Sequence, residues 1–250
     1  MGRLSIVIPT LNEEQHIGAC LESVHTLDAE VIVADGGSSD ATGTIARRHG
    51  ARLIHVPRGR GSQLRAGAAA AGGDAILFIH ADCVLAESGA RAVMSAIADP
   101  SFTIGTLRLR LAGRHPLYNL YSWFTRFDSI WTSFGDQGIV IRRGLYDRLG
   151  GFPDWPLLED VKLLREARRT AKIHSLPGEM ITSARRFERV GIARQQFRNG
   201  GILIRYLLGT SPESLARGYA DEPALETAIS PGPAPAAHNS LVGSPRWHEA

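Results

Sequence analysis

The chain is short of several things that would have set its class at once. Cys20 and Cys83 are the only cysteines in 250 residues. They are too few for a disulfide framework and have no metal-ligand spacing, so a reducing, cytoplasmic setting is expected. No apolar run reaches the ~20 residues of a membrane span. Gly200 to Gly209 comes nearest, and Arg205 breaks it. The amino terminus has no basic stretch followed by an apolar one, and no secretory signal is expected there. There is no internal repeat. Lysine is as scarce as cysteine: Lys162 and Lys172 are the only two among 28 basic residues. Codon bias in a GC-rich genome accounts for such a skew, and so does a demand for arginine forks on phosphate oxygens. Arginine clusters twice, as Arg58, Arg60 and Arg65 in a glycine-containing segment and as Arg185, Arg186, Arg189, Arg194 and Arg198 further on. A net charge of +3 is too small to imply nucleic acid, and no such partner is expected.

What is present is an alternation of strands and helices. Leu4 to Ile8 (LSIVI) is a continuous apolar run of buried-strand type. A helix is expected over Asn12 to His25, with Ile17, Cys20, Leu21 and Val24 on one face and Asn12 as its cap. Strands follow at Val31–Ala34, Arg52–Val56 and Ala75–Ile79, with helices at Ser39–His49, Ser62–Ala71 and Glu87–Ala98. A length of 250 residues suits one large α/β domain or two small ones. This order predicts a mostly parallel sheet covered by helices on both faces, with ligands beyond the carboxyl ends of its strands.

Three polar turns lie at those ends: Pro9-Thr10-Leu11-Asn12-Glu13, Asp35-Gly36-Gly37-Ser38-Ser39-Asp40 and His80-Ala81-Asp82. An aspartate at a strand end is often only a helix cap, and Asp40 fits that role before Ala41-Thr42. Asp35 and Asp82 are not needed as caps, and the convergence of the three turns on one edge marks a ligand site.

IPTLNEE at Ile8 to Glu14, VIVADGGSSDAT at Val31 to Thr42 and His80-Ala81-Asp82 resemble glycosyltransferase family 2, which has the GT-A fold. RRGLYDRLGGF at Arg142 to Phe152 and LLEDVKLL at Leu157 to Leu164 continue the likeness in the expected order, so that it covers about residues 3 to 205. It is nearest to a bacterial subgroup of radical-SAM/selenodomain-associated transferases, which similarly carries the His-Ala-Asp turn and a Gly-Asp-Gln-Gly stretch.

The resemblance implies a single large α/β domain of GT-A type, with a nucleotide-sugar-binding half over 1–115 and an acceptor and catalytic-base half over 116–210; composition adds an unordered tail over 211–250. It implies an inverting transfer from a nucleoside-diphosphate sugar to a hydroxyl acceptor. Pro9, Thr10, Glu13, Asp35, Gly36 and Ala81 then belong to the donor site, and Asp82 is the carboxylate for Mn²⁺ or Mg²⁺. Arg60, flanked by Gly59 and Gly61, suits the diphosphate, although a glycine-flanked arginine is also common in plain surface loops. The family's usual first aspartate of the metal turn is His80 here. A neutral imidazole binds Mn²⁺ but suits Mg²⁺ poorly, and it equally serves a ribose, a phosphate or simple packing. Asp160 is expected as the general base, with Glu159 orienting it or the acceptor. A bland account of the Glu-Asp pair is the positive start of its helix. Asp136 and Gln137 are read as acceptor or donor-sugar contacts or as a glycine-flanked turn, and Trp155 as an acceptor contact.

Gln195 to Asn199 (QQFRN) faintly resembles the Gln-x-x-Arg-Trp signature of processive members, with asparagine in place of tryptophan. Single addition is therefore expected, with Arg198 as a phosphate contact only. His115 to Phe134 (HPLYNLYSWFTRFDSIWTSF) puts Leu117, Leu120, Tyr121, Phe124, Phe127, Trp131 and Phe134 near one helical stripe, which a core-facing helix explains. Tyr118, Trp123 and Ile130 fall off that face, and Arg126 suits a lipid phosphate. A peripheral membrane contact beside a lipid-like acceptor is the second reading. After Thr210, Pro212, Pro223, Pro231, Pro233, Pro235 and Pro245 stand among alanine and polar residues, and a flexible extension is expected. Two other classes stay open: a nucleotidyltransferase, although the first turn lacks its glycines and basic residue, and a non-catalytic binding protein of the same fold. Dinucleotide oxidoreductases and Walker-type proteins lack their motifs here.

Overall fold

The computed structural model describes residues 3–113, 122–129, 135–182 and 192–220. Its centre is β1 (Leu4–Thr10), flanked in parallel by β2 (Ala29–Asp35) and β4 (Ala75–Phe78), with β3 (Arg52–His55) parallel to β2 at the edge. Beyond β4 the sheet changes direction. β7 (Ile139–Arg142) runs antiparallel to β4, and β6 (Ile104–Leu111) antiparallel to β7. β8 (His174–Thr182) is parallel to β6, and β5 (Cys83–Leu85) closes the edge antiparallel to β8. The eight strands run in the order β3-β2-β1-β4-β7-β6-β8-β5. One sheet thus carries strands from both sides of residue 115.

Alternation along β1 sorts the two faces. Ile6 and Ile8 point to a core shared with α1 (Ile17–Val24), α2 (Thr42–Arg48) and α4 (Glu87–Ala98). Val7 points to the opposite core, shared with α3 (Arg60–Ala70), α5 (Arg143–Arg148) and α6 (Glu159–Thr170). Helices therefore cover both faces, as the continuous apolar runs require. A third cluster joins Leu158 and Val161 to Leu203 of α7 (Ile192–Leu207) and Leu215 of α8 (Pro212–Ala220). Among the described residues no helix is long and apolar enough to cross a membrane.

Three local expectations are corrected. The first helix starts at Ile17, and Asn12 is not its cap. Asn12 takes a left-handed backbone (φ 55°) and knits two turns together. Its amide N–H donates to Ser38 Oγ (2.8 Å), and its Oδ1 accepts from the Ser39 N–H (2.9 Å). The tail expected from 211 onward begins with a helix instead. Ser211 Oγ accepts from the Ser214 N–H (3.3 Å), Pro212 takes the first helical position, and Leu215 is buried against Leu203. The rest of that expectation, residues 221–250, lies outside the described residues. Asp40 stands one residue before the cap, which is Ala41 with no side-chain cap bond; its Oδ1 accepts from the Thr42 N–H (3.0 Å).

The small face of α3 lets the helix lie directly on the sheet. A Cβ on Gly67 would stand 2.3 Å from Val7 Cγ1. Gly67→Ala should overpack that contact at about 1–3 kcal/mol, against about 1 kcal/mol regained in helix propensity, for a net loss of up to about 2 kcal/mol in urea unfolding. Adding Val7→Ala should cost less than it does in the parent. Strict additivity of the two changes would show that this contact does not limit the packing.

Candidate functional site

A cleft of about 730 Å³ opens beyond the carboxyl ends of β1 and β4, between the start of α3, the start of α6 and α7. Its polar wall includes Glu13, Arg58, Arg60, Gln63, His80 and Asp82. Its other wall is Leu109, Leu111, Leu157, Leu158, Ile202 and Leu203. Asp136 and Asp160 line it as well.

The first turn brings Pro9, Thr10 and Glu13 to the cleft. Asp35 and Gly36 stand behind that wall and are buried. The Asp35 carboxylate accepts from the Thr10 hydroxyl (3.1 Å), the Ser38 hydroxyl, and the N–H groups of Gly37 (3.2 Å) and Ser38 (3.0 Å). Burial alone would raise its pKa. These hydrogen bonds, led by those from Ser38, outweigh it and hold the carboxyl below its ordinary value. Gln63 is the site residue that sequence reasoning missed. It is buried, and its Nε2 donates to the carbonyls of Thr10 (2.7 Å) and Ala34 (2.8 Å), tying the ends of β1 and β2. The available signal was a glutamine on the glycine- and alanine-rich inner face of α3.

Arg60 opens α3 and reaches across to α6. Its Nε and Nη2 form a fork on Glu159, the second bond at 3.3 Å. The Glu159 side chain is 0% exposed, whereas that of Arg60 is 37% exposed toward the cleft it lines. Burial opposes the guanidinium charge, but Glu159 first and Asp160 next hold Arg60 firmly protonated. Burial raises the Glu159 carboxyl, and Arg60 pulls it back. Glu159 is therefore turned to Arg60 rather than into the cleft.

Leu158 precedes this pair in a left-handed backbone (φ 64°), a conformation worth about 1–3 kcal/mol of strain for a branched residue. Asp160 then points the other way. Its Oδ2 accepts from the Gly135 N–H (2.6 Å), and its Oδ1 from the Val161 N–H (2.8 Å). Gly135 opens a single 3-10 turn, Gly135–Gln137. A Cβ on Gly135 would lie 2.9 Å from His80 Nε2 and 3.1 Å from Asp160 Oδ2, so glycine is what allows the turn to sit between them. His80 Nε2 faces Asp136 Oδ1 at 3.6 Å.

Two expected acceptor contacts are not on the cleft. Gln137 is buried behind the turn. Trp155 is half-buried against Tyr206 (ring centroids 6.0 Å apart), and its backbone lies over Gly61. Of the aromatic segment, only residues 122–129 are described. There Trp123, Phe124 and Phe127 are exposed, and Thr125 Oγ1 accepts from the Leu109 N–H (3.0 Å). Phe124 and Phe127 are thus not buried in the core; the rest of that stripe lies outside the described residues. Of the second arginine cluster, Arg194 and Arg198 lie on α7, and neither lines the cleft. Arg185, Arg186 and Arg189 lie outside the described residues.

Comparison with known proteins gives this geometry a family. Residues 5–141 match the family model described as Glycosyl transferase family 2. The chain belongs to that family. A glycosyltransferase of Mycobacterium bovis is 33% identical over 129 residues, 51% of this chain and 56% of the relative. Glucosyl-3-phosphoglycerate synthase of Mycolicibacterium smegmatis is 35% identical over 94 residues, 32% of this chain and 31% of the relative. The chain thus spans about half the length, or less, of these curated relatives. Among solved structures, the mannosyltransferase PcManGT from Pyrobaculum calidifontis, in complex with GDP-Man and Mn²⁺, is similar with a TM-score of 0.57 at 20% identity. That match covers 87% of this chain and 67% of the other. Glucosyl-3-phosphoglycerate synthase from Mycobacterium tuberculosis, in complex with Mn²⁺, UDP and phosphoglyceric acid, has a TM-score of 0.54 at 23% identity, covering 79% and 76%. At these identities the likeness shows the fold: α/β, of the GT-A kind.

The cleft of this family 2 chain fits a hard divalent ion of the kind that shares its ligands with a substrate. Asp82 and Asp136 offer carboxylate oxygen at its polar end. Among the described residues no three His, Cys, Asp or Glu side chains close around one point. Mg²⁺ and its like are commonly held by one or two carboxylates plus substrate phosphates. Two thiols, Cys20 and Cys83, are buried close to Asp82. Burial, reinforced by Asp82 and Glu13, pushes Cys20 up to about 12. Burial and Asp82 likewise raise Cys83 well above its ordinary value. Both stay protonated at neutral pH.

The Arg60–Glu159 pair carries a pH signature. Arg60→Met leaves Glu159 buried without its cation. Breaking a buried pair costs about 3–5 kcal/mol, and the partial exposure of Arg60 reduces this to about 2 kcal/mol. With its carboxyl already raised by burial, Glu159 in the variant should protonate at still higher pH. The folded state then loses stability as pH rises through that value. Urea unfolding should therefore show a larger deficit at about pH 8 than at about pH 5. An equal deficit at both would mean that Glu159 does not depend on Arg60 for its charge.

Proposed function

We propose that the protein is an inverting glycosyltransferase that moves one sugar from a nucleoside-diphosphate sugar to a hydroxyl acceptor. The observation that carries this reading is that Asp82, Arg60 and the Asp160 carboxylate line one cleft together with an apolar set that includes Leu109, Leu111, Leu157 and Leu203. Pro9, Thr10 and Glu13 line the nucleotide side, with Asp35 and Gly36 bracing the turn from behind. Ala81 lets the backbone of the metal turn lie close to the donor. Asp82, with Asp136 beside it, would hold Mn²⁺ or Mg²⁺, which when bound neutralises charge on the departing diphosphate. Arg60 supplies a fixed positive charge on the same side, in a partly dry cleft where such charges act most strongly.

Asp160 takes the proton of the acceptor hydroxyl as its oxygen bonds to the anomeric carbon. The bond from that carbon to the diphosphate breaks on the opposite face, the nucleoside diphosphate leaves with the electron pair, and the configuration inverts. General-base help of this kind typically gives about 10²–10⁴-fold. The Gly135 N–H on Asp160 Oδ2 fixes the carboxylate toward the cleft. In this reading donor binding falls chiefly to residues 1–115 and the base to residues 116–210, while Leu109 and Leu111 of the first half serve the acceptor wall and Asp136 of the second serves the metal.

The apolar wall supports a lipid-like acceptor. Each additional hydroxyl buried without a partner against Leu109, Leu111 or Leu203 would cost about 1–3 kcal/mol, so one reacting hydroxyl on an apolar body suits the cleft better than a polyol. The exposed Trp123, Phe124 and Phe127 beside Leu109 support peripheral contact with the inner face of a membrane. The His80-Ala81-Asp82 and Gly135-Asp136-Gln137-Gly138 stretches support the radical-SAM/selenodomain-associated subgroup.

Asp82→Ala should abolish Mn²⁺-dependent binding of a nucleoside diphosphate, read by calorimetry, while leaving the thermal midpoint within a few degrees. Undiminished binding would remove Asp82 from the donor site. Asp160→Asn should keep donor affinity and lose at least about 10²-fold in transfer, because only the proton acceptor is lost. Turnover near the parent rate would assign the base elsewhere.

A further inference from the structure

Helix α7 has two apolar faces where one would suffice. Leu203 points inward to Leu158, Val161 and Leu215. On the outer side Phe197 is 83% exposed, Ile204 48% and Leu208 81%. Leu208 extends the helix by one residue, its N–H donating to the Ile204 carbonyl (2.9 Å). Phe197, Gly201, Ile204 and Leu208 follow one another at helical spacing, so they form a single stripe along the outside. Surface hydrophobes scattered singly need no explanation, but three large ones in register on one helix do.

The charges around the stripe say what covers it. Arg194 and Arg205 fall along one flank of the stripe, both exposed, and among the described residues neither has a carboxylate partner. From Ile192 to Leu207 the helix has no acidic residue. An apolar stripe edged by arginine, on a helix too polar to span a bilayer, is the pattern of a helix lying in the plane of an anionic lipid surface. The same helix sends Asn199, Ile202 and Leu203 into the cleft. A surface held by the outer stripe would therefore bring the apolar wall of the cleft next to the lipid.

We infer that the outer face of α7, Phe197, Ile204 and Leu208 with Arg194 and Arg205, docks the protein on anionic membrane lipid. The inference deepens the acceptor reading above and rests on it only for the use made of docking; lipid binding itself needs neither donor nor acceptor. It is tested on the full chain by co-sedimentation with vesicles of phosphatidylcholine alone and of phosphatidylcholine with phosphatidylglycerol. The parent should sediment with the anionic vesicles and weaken as salt is raised. Phe197→Ser with Leu208→Ser should reduce binding about tenfold or more, and Arg194→Gln and Arg205→Gln about fivefold each. Thermal midpoints should be unchanged, since all four side chains are exposed. Failure of the parent to sediment, or equal sedimentation of the serine variant, overturns the inference. So does a parent dimer in sedimentation equilibrium that the serine variant makes monomeric, because the stripe would then cover a second copy. Sedimentation without any sugar transfer would leave the docking surface standing and count against the proposed function alone; transfer without sedimentation would do the reverse.

Discussion

The ion pair between Arg60 and Glu159 joins two residues 99 positions apart, and much of the cleft depends on it. Arg60 begins a helix laid on the parallel strands; Glu159 begins the helix that carries the Asp160 carboxylate. With Glu159 wholly out of water, loss of the guanidinium would strand a charge in the interior, which proteins rarely tolerate. The pair also explains how two unfavourable local features persist. A Cβ on Gly61 would fall 2.2 Å from the Pro153 carbonyl, so the backbone of α3 is pressed against the segment leading to Leu158. Leu158 itself is left-handed, and such strain survives only where surrounding contacts over-determine it.

Three carboxylates near the strand ends acquire three different characters from their surroundings. Asp35 is surrounded by N–H and O–H donors that favour its charge, and it braces a turn. Glu159 is raised by burial and held by one arginine. Asp160 is fixed by two backbone N–H groups and has its remaining edge on the cleft, where it can meet a ligand. Only the third combines restraint with access, which is what a proton acceptor in a displacement needs. The two cysteines close to Asp82 belong to the same neighbourhood, where burial and the nearby carboxylates raise their thiols.

Helix α7 connects this chemistry to the surface. Its inner side completes the apolar wall of the cleft and its outer side is the exposed stripe, so one 16-residue element faces both ways. The sequence run Gly200 to Gly209 was readable only as too short and too charged to span a membrane. That its hydrophobes divide between an inner and an outer face emerged once Leu203 was seen against Leu158 and Leu215.

Much of the fold was legible because its signals are local. The short apolar runs at Leu4 to Ile8 and Ala75 to Ile79, bounded by polar turns, read as strands buried on both faces, with ligands entering beyond their carboxyl ends. The ordered motifs from Ile8 to Leu164 identified the family for the same reason: each is a short stretch whose residues act together. By itself the sequence determined the strand-and-helix alternation and the convergence of three turns, one of them carrying Asp82, on one edge; Asp160 came from the family resemblance. The tertiary structure alone decided which polar side chains face the cleft. Asp35, Gln137 and Trp155 turn behind its walls, Glu159 turns to Arg60, Gln63 bridges two strand ends, and Asn12 ties two turns instead of capping a helix. Those choices depend on partners as much as 99 residues away, and periodicity, which records only the face of one element, holds no information about what that face will meet.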